Sequence, residues 1–170
     1  MIAPWKTFSA GLAFLALAAC GGDTEQAATD YRGDEALPGG GTVKEAIEAR
    51  QSSLKEMGKA FKTISDQLKA GAPDLDAIKT SAATVAEKSA HIGTWFPEGT
   101  SAASGVETEA LDTIWEKPDE FDAAVTRFEG AAPQLVAAAD SGDVEAIGAA
   151  FKETGGACKN CHDTFREDDD

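Results

Sequence analysis

Apolar side chains recur every three or four residues in four separate stretches of the chain, and polar residues fill the positions between them. No stretch shows the two-residue alternation that is typical of a half-buried strand. The inward positions are Val43, Ile47, Leu54, Met57, Phe61, Ile64 and Leu68, then Leu75, Ile78, Ala82, Val85 and Ile92, then Phe121, Val125, Phe128, Leu135 and Ala139, and finally Val144, Ile147, Phe151, Cys158, Cys161 and Phe165. Four amphipathic helices with this spacing predict an all-α fold, an antiparallel four-helix bundle.

Several residues mark the ends of these helices. Thr42, followed three residues later by Glu45, forms a capping-box sequence and predicts that the first helix begins there. That helix is expected to stop near Gly71, and residues 93–117 are expected to form a loop. Pro133 lies inside the third apolar stretch and predicts a kink or a local break in its helix.

Two features interrupt the pattern. Arg50 falls on the inward stripe of the first helix, where a charge needs a partner or a route to water. Alternatively, its stem packs at the edge of the stripe and its head stays solvated. Gly155 and Gly156 lie within the last helix, where each costs up to about 1 kcal/mol relative to alanine. Either a bulky group approaches the backbone there, or the helix ends and begins again.

The first nineteen residues are predicted to be a signal peptide. Lys6 precedes an apolar run, residues 8–19, that is too short to span a membrane. The run ends in Leu-Ala-Ala-Cys-Gly, which resembles the lipobox of bacterial lipoproteins and predicts a lipid on Cys20. Residues 20–41 are rich in Gly, Ala, Thr and acids and predict a flexible tether, so the domain is expected to comprise residues 42–170. The alternative is an ordinary signal peptide that leaves Cys20 as an unpaired thiol.

The charge balance excludes several classes of partner. The chain has 30 acidic residues against 15 Lys and Arg, so a phosphate backbone or an anionic membrane surface would be repelled. No Gly-rich phosphate loop, catalytic triad or paired-carboxylate site is present, and no enzyme activity is predicted. The abundant acids fall on polar helix faces, where they are expected to be solvated.

The sequence GGACKNCHDTF, residues 155–165, carries the candidate chemistry. Cys158, Cys161 and His162 form a C-x-x-C-H motif, which is the attachment signature of c-type haem. A closed zinc site usually needs four protein ligands, and the only other histidine is His91. A redox dithiol is the other alternative, and outside the cytoplasm it would persist as a disulfide. Such a pair is expected at the start of a helix that follows a strand, and no strand is predicted here. The motif therefore favours haem over these two alternatives.

Because the motif lies in the last of four helices, the chain resembles cytochrome c′, the four-helix class of c-type cytochromes. The resemblance extends from Thr42 to Arg166. It rests on the sequences of residues 49–54, 57–58, 96–100, 114–115, 137–143 and 155–166, together with Phe121 and Phe128.

The resemblance implies roles for particular residues. Cys158 and Cys161 would bind one haem c covalently, with His162 as the single axial ligand. Arg50 and Gln51 match an Arg-Gln pair near the haem propionates. Four further positions match residues around the haem: Leu54 on the vacant side of the iron, Arg166 beside the proximal pocket, and Phe96 and Phe128 as lining aromatics, with Trp95 as a further candidate. For each aromatic residue, plain core packing is the alternative.

The resemblance also predicts a function. Leu54 has no donor atom, so the iron would be five-coordinate and high-spin and would bind small gases such as NO and CO. The protein would then be an NO buffer or scavenger at a membrane surface. The first alternative is a membrane-tethered electron carrier that has Met57 as sixth ligand and a redox partner protein. The second alternative is a haem-free metal or interaction module. His91 lies off the apolar stripe and is expected to be solvated.

The family often forms dimers through its first two helices. Small residues on the flanks of these helices permit a homodimer here without requiring one: Ala46, Ala60, Ala83 and Ala86.

Overall fold

The computed structural model describes residues 32–167. Five α-helices occur in this range: α1 (Val43–Lys69), α2 (Leu75–Ser89), the short α3 (Thr113–Glu116), α4 (Pro118–Ser141) and α5 (Val144–Phe165). The only extended pairing in the same range is two isolated bridges, Ala36 with Thr42 and Ala110 with Arg166. α1 packs on α2, α2 on α4, and α4 on α5, whereas α1 and α5 approach each other much less. The predicted all-α four-helix bundle is confirmed.

The helix ends are determined by local hydrogen bonds. The predicted capping box is present: the Thr42 hydroxyl accepts from the Glu45 N–H at 3.3 Å, and the Glu45 carboxylate accepts from the Thr42 N–H at 2.8 Å. Asp74 and Asp143 cap α2 and α5 without a reciprocal bond: one carboxylate oxygen of each accepts from two backbone N–H groups of the first turn. Gly142 ends α4 with φ 71°, a conformation that costs glycine little.

Of the two outcomes predicted at Pro133, a kink or a local break, the break is wrong, because α4 continues through this residue. Ala132 and Leu135 on either side of it are fully buried. Burial of this apolar face against α2 and α5 offsets the single backbone hydrogen bond that proline removes.

The double glycine does not interrupt α5 either, and one of the two glycines is closely approached by a side chain. A Cβ on Gly155 would lie 3.3 Å from Cζ of Phe61, whereas a Cβ on Gly156 would have no neighbour within 4 Å. The Phe61 ring also stacks on Phe151, with centroids 4.1 Å apart. Of the two interpretations, the close approach of a bulky group is the one observed, and that group is Phe61.

This difference predicts opposite outcomes for two neighbouring alanine substitutions. Gly156→Ala is expected to raise the free energy of unfolding by about 0.5–1 kcal/mol, since alanine is the better helix former. The free energy of unfolding of Gly155→Ala is expected to be lower than that of Gly156→Ala by about 1 kcal/mol or more, because the new methyl group forces the stacked Phe61 ring to move. Urea unfolding of the two variants measures the difference. Equal gains in both would mean that the ring yields freely.

The core differs between the two ends of the bundle. At one end Ile64, Ile78, Leu135 and Ile147 are fully buried and close the space between the helices. The other end is aromatic and contains Phe121, Phe128 and Phe165, and there the side chains surround a cavity.

The segment before α1 is part of the folded structure. Val43 N–H donates to the Glu35 carbonyl at 3.0 Å and Lys44 N–H to the Gly33 carbonyl at 2.9 Å. Leu37 is buried against Val43 and α1. Residues 32–41, which the sequence assigns to the tether, therefore pack on the domain. The predicted signal peptide and Cys20 lie outside the described residues, and no helix within residues 32–167 is long and apolar enough to cross a bilayer.

Candidate functional site

A cavity of about 650 Å³ is lined by the middle of α1, the first half of α4 and the second half of α5. Its volume is in the range of small-molecule and cofactor sites. All nine haem-site residues that the sequence predicts line it: Arg50, Gln51, Leu54, Phe96, Phe128, Cys158, Cys161, His162 and Arg166. Trp95 packs against the surrounding core and is not part of the lining. His91 is exposed, as predicted.

The two thiols share the inner face of α5. Cys158 and Cys161 are half-buried and not bonded to each other. Burial raises the pKa of the Cys158 thiol to about 11 and also raises the pKa of Cys161. A redox dithiol requires a lowered thiol pKa, so this environment does not favour one. Among residues 32–167 there is also no group of three or more His, Cys, Asp or Glu side chains that could hold a zinc ion.

The last turn of α5, which carries His162, is held by the start of α3 and by the segment that precedes it. Leu111 N–H donates to the Phe165 carbonyl at 3.0 Å, and the Thr113 hydroxyl donates to the Thr164 carbonyl at 2.9 Å. Arg166 Nε donates to a Glu109 carboxylate oxygen at 2.7 Å. His162 itself is exposed at the rim of the cavity. These contacts fix the helix end from which its imidazole projects.

Arg50 is buried in the cavity wall, with 2% of its surface exposed. Its guanidinium donates to the Thr100 hydroxyl, the Thr100 carbonyl and the Thr108 hydroxyl, each at 2.7 Å, and lies 5.0 Å from the centre of the Phe96 ring. Desolvation lowers the pKa of Arg50 to about 10, which leaves it charged at neutral pH. The interpretation with a solvated head is therefore wrong, because the connection between α2 and α3 covers this residue.

Sequence reasoning missed the two threonines that hold Arg50 and the position of Phe61 in the cavity wall. Thr100 and Thr108 lie in a connection without an apolar period, so no pattern assigns them a neighbour. Phe61 was expected in the core, and the structure adds that it lines the cavity and lies against Gly155. The glycine at position 155, inside a helix, was the sequence signal that could have indicated a close contact there.

The described residues fit a haem group. The cavity is mostly apolar, two thiols lie on its wall one helical turn apart, and an imidazole follows the second thiol. The wall also contains a buried cation, Arg50, which suits the carboxylates of a porphyrin. The family described as Cytochrome C′ matches residues 45–166. The chain belongs to the cytochrome c′ family.

Individual relatives agree with this assignment. The chain is 36% identical to cytochrome c′ of Pararhodospirillum photometricum over 121 residues, which is 71% of this chain and 95% of that protein. A ferrous variant of cytochrome c′ from Alcaligenes xylosoxidans with bound NO superposes with a TM-score of 0.67 at 30% identity, covering 75% of this chain and 97% of that one. A cytochrome c′ with ligand-controlled dimer dissociation superposes with a TM-score of 0.72 at 27% identity, covering 76% of this chain and 99% of that one.

Membership of the family identifies the cofactor. Cytochromes c′ bind haem c covalently, and the C-x-x-C-H motif at Cys158, Cys161 and His162 is the sequence through which such attachment occurs. In this cytochrome c′ both thiols belong to the same wall of one cavity, as attachment to a single porphyrin requires.

Proposed function

We propose that this cytochrome c′ binds the small uncharged gases NO and CO at a five-coordinate, high-spin haem iron whose one protein ligand is His162. The observation that carries the proposal is the composition of the cavity wall on α1. There Leu54 and Phe61, which have no donor atoms, line the same cavity as the two thiols and His162. When bound, haem would supply the iron atom that takes the gas. NO binding by the relative from Alcaligenes xylosoxidans supports the proposal.

The chain's own residues then determine which ligands enter. Leu54 is half-buried, so its side chain covers the cavity without sealing it. An apolar cover excludes water and anions, because they would lose hydrogen bonds on entry. A neutral diatomic gas loses little hydration, but it needs the leucine to move aside. The expected behaviour is slow and selective gas binding, which suits an NO buffer or scavenger.

Met57 favours a second candidate function, electron transfer. It lies one turn from Leu54 on α1, is half-buried and lines the same cavity. A thioether is an established type of haem ligand. However, Met57 also packs against the aromatic core cluster, a role that methionine fills well.

Optical spectra of the purified haem protein separate the two functions. For gas binding we expect high-spin ferric and ferrous spectra, a ferrous spectrum that changes on adding CO, and no change of spin state in Met57→Leu. For electron transfer the wild type would be low-spin and indifferent to CO, and Met57→Leu would become high-spin. The second pattern would overturn the gas-binding proposal.

We further propose that the protein is exported, attached to a membrane through a lipid on Cys20, and located on the periplasmic side. A homodimer through α1 and α2 is part of the same proposal, and a relative with ligand-controlled dimer dissociation supports it. Of the small residues expected to permit pairing, Ala60 is buried in the core of its own protomer and is not available. Ala83 is exposed, and Ala46 and Ala86 are half-buried, so these three remain accessible to such a face.

A further inference from the structure

The environment of Arg50 leaves part of its hydrogen-bonding capacity unused. A guanidinium has five N–H groups. Arg50 donates three of them, one from Nη1 and two from Nη2, to oxygens of Thr100 and Thr108. All three acceptor oxygens are uncharged, and Arg50 forms no salt bridge within residues 32–167. A buried cation in this state favours an anion as its further partner.

The two threonines differ in what their hydroxyl groups still offer. The Thr100 hydroxyl accepts from Arg50 and donates to the Pro97 carbonyl at 2.7 Å, and the side chain is fully buried. The Thr108 hydroxyl accepts from Arg50 at 2.7 Å and from the Ala110 N–H at 3.2 Å. A threonine oxygen has two acceptor positions and one proton to donate. Both acceptor positions of Thr108 are therefore used, and its O–H proton remains for an acceptor.

Thr108 lines the cavity beside Arg50, whereas Thr100 does not. Thr100 is fully buried, and the backbone around it is held by further hydrogen bonds. The Trp115 indole N–H donates to the carbonyls of Phe96 and Pro97 at 3.1 and 3.2 Å. Thr100 thus fixes Arg50 in the wall, and Thr108 adds an unused O–H donor at the cavity surface.

We propose that Thr108 binds a carboxylate of the haem directly, by donating its O–H proton, next to the charged Arg50, and that Thr100 is a positioning residue for Arg50. The carboxylate would accept one hydrogen bond from a neutral donor, Thr108, and would lie beside the positive charge of the buried Arg50. This inference rests on covalent haem at Cys158 and Cys161 and does not depend on gas binding.

The test is the pH dependence of the haem midpoint potential in the holoprotein. A carboxylate that loses a hydrogen-bond donor is protonated at higher pH, because the donor stabilised its charged form. In Thr108→Val the pH at which the potential begins to change is expected to rise by roughly one unit. Thr108→Ser restores the hydroxyl and is expected to follow the wild type. Thr100→Val is expected to give a smaller rise in the same direction.

Thr154→Val is the matched control. Thr154 is fully buried like Thr100, bonds only to the Ala150 carbonyl, and does not line the cavity. Apart from Cys158 and Cys161, whose thiols are used for haem attachment, the other charged or titratable side chains of the lining are Lys55 on α1, Glu109 before α3, and His162 and Arg166 on α5. None of them is changed in these variants, so their titration is a constant background.

The outcomes distinguish direct binding from a purely structural role. If Thr108→Val and the wild type give superimposable curves, or if Thr108→Ser shifts as far as Thr108→Val, the proposal is overturned. Urea unfolding of each variant shows whether the domain is still folded. The CO spectrum of the wild type reports on gas binding separately, so failure of that function would not be mistaken for failure of this inference.

Discussion

Replacement of Leu54 by alanine is expected to speed CO binding to the ferrous protein by about 30-fold. In the proposed function the gas enters only when the leucine side chain leaves its packed position. Removing a buried leucine side chain costs about 2–5 kcal/mol, and a half-buried residue falls at the lower end of this range. A barrier lower by about 2 kcal/mol corresponds to roughly 30-fold in rate.

Leu68→Ala is the matched control for this prediction. Leu68 is also a half-buried leucine of α1, but it packs against the closed isoleucine cluster at the other end of the bundle. The variant is expected to lower the free energy of unfolding without changing the CO association rate. Stopped-flow mixing of the dithionite-reduced proteins with CO measures both rates. If the CO association rate were unchanged in Leu54→Ala, another group would limit the entry of CO. The proposed role of Leu54 as the cover of the gas-binding side would then be wrong.

The double variant Cys158→Ser/Cys161→Ser is expected to lose all covalently bound haem. Serine cannot form the thioether bonds, and these two cysteines are the only ones on the cavity wall. The loss also removes the contents of a cavity of about 650 Å³. Without haem the apolar wall of this cavity would be exposed to water, because the cavity is open at the rim where His162 lies. The variant is therefore expected to have a lower free energy of unfolding than the haem protein.

Mass spectrometry under denaturing conditions detects the covalent haem. Cys20→Ser is the matched control, since it removes the third cysteine of the chain and leaves the motif intact. It is expected to keep haem, and under the lipidation hypothesis it leaves the membrane fraction. A wild-type protein without the haem mass, after expression with a haem-attachment system, would contradict covalent binding and favour a haem-free module.

The sequence by itself determined the features that depend on neighbours close along the chain. Helix positions follow from an apolar spacing and from caps such as Thr42 with Glu45, which act within a few residues. The C-x-x-C-H motif is local in the same sense, because a short spacing within one helix places both thiols on one face. For this reason the bundle, its approximate boundaries and the cofactor could be predicted without coordinates.

Only the tertiary structure decided the features that depend on distant segments. The partners of Arg50 lie 50 and 58 residues further along the chain, in a connection without periodicity. The ring of Phe61 reaches Gly155 from another helix, and packing on both sides keeps α4 continuous at Pro133. Local propensity is worth at most a few kcal/mol per site, so burial between elements overrides it. A sequence pattern indicates that Arg50 needs a partner. The folded chain alone determines that two threonine hydroxyls and one threonine carbonyl supply the contacts, and that the Thr108 hydroxyl still has a proton to donate.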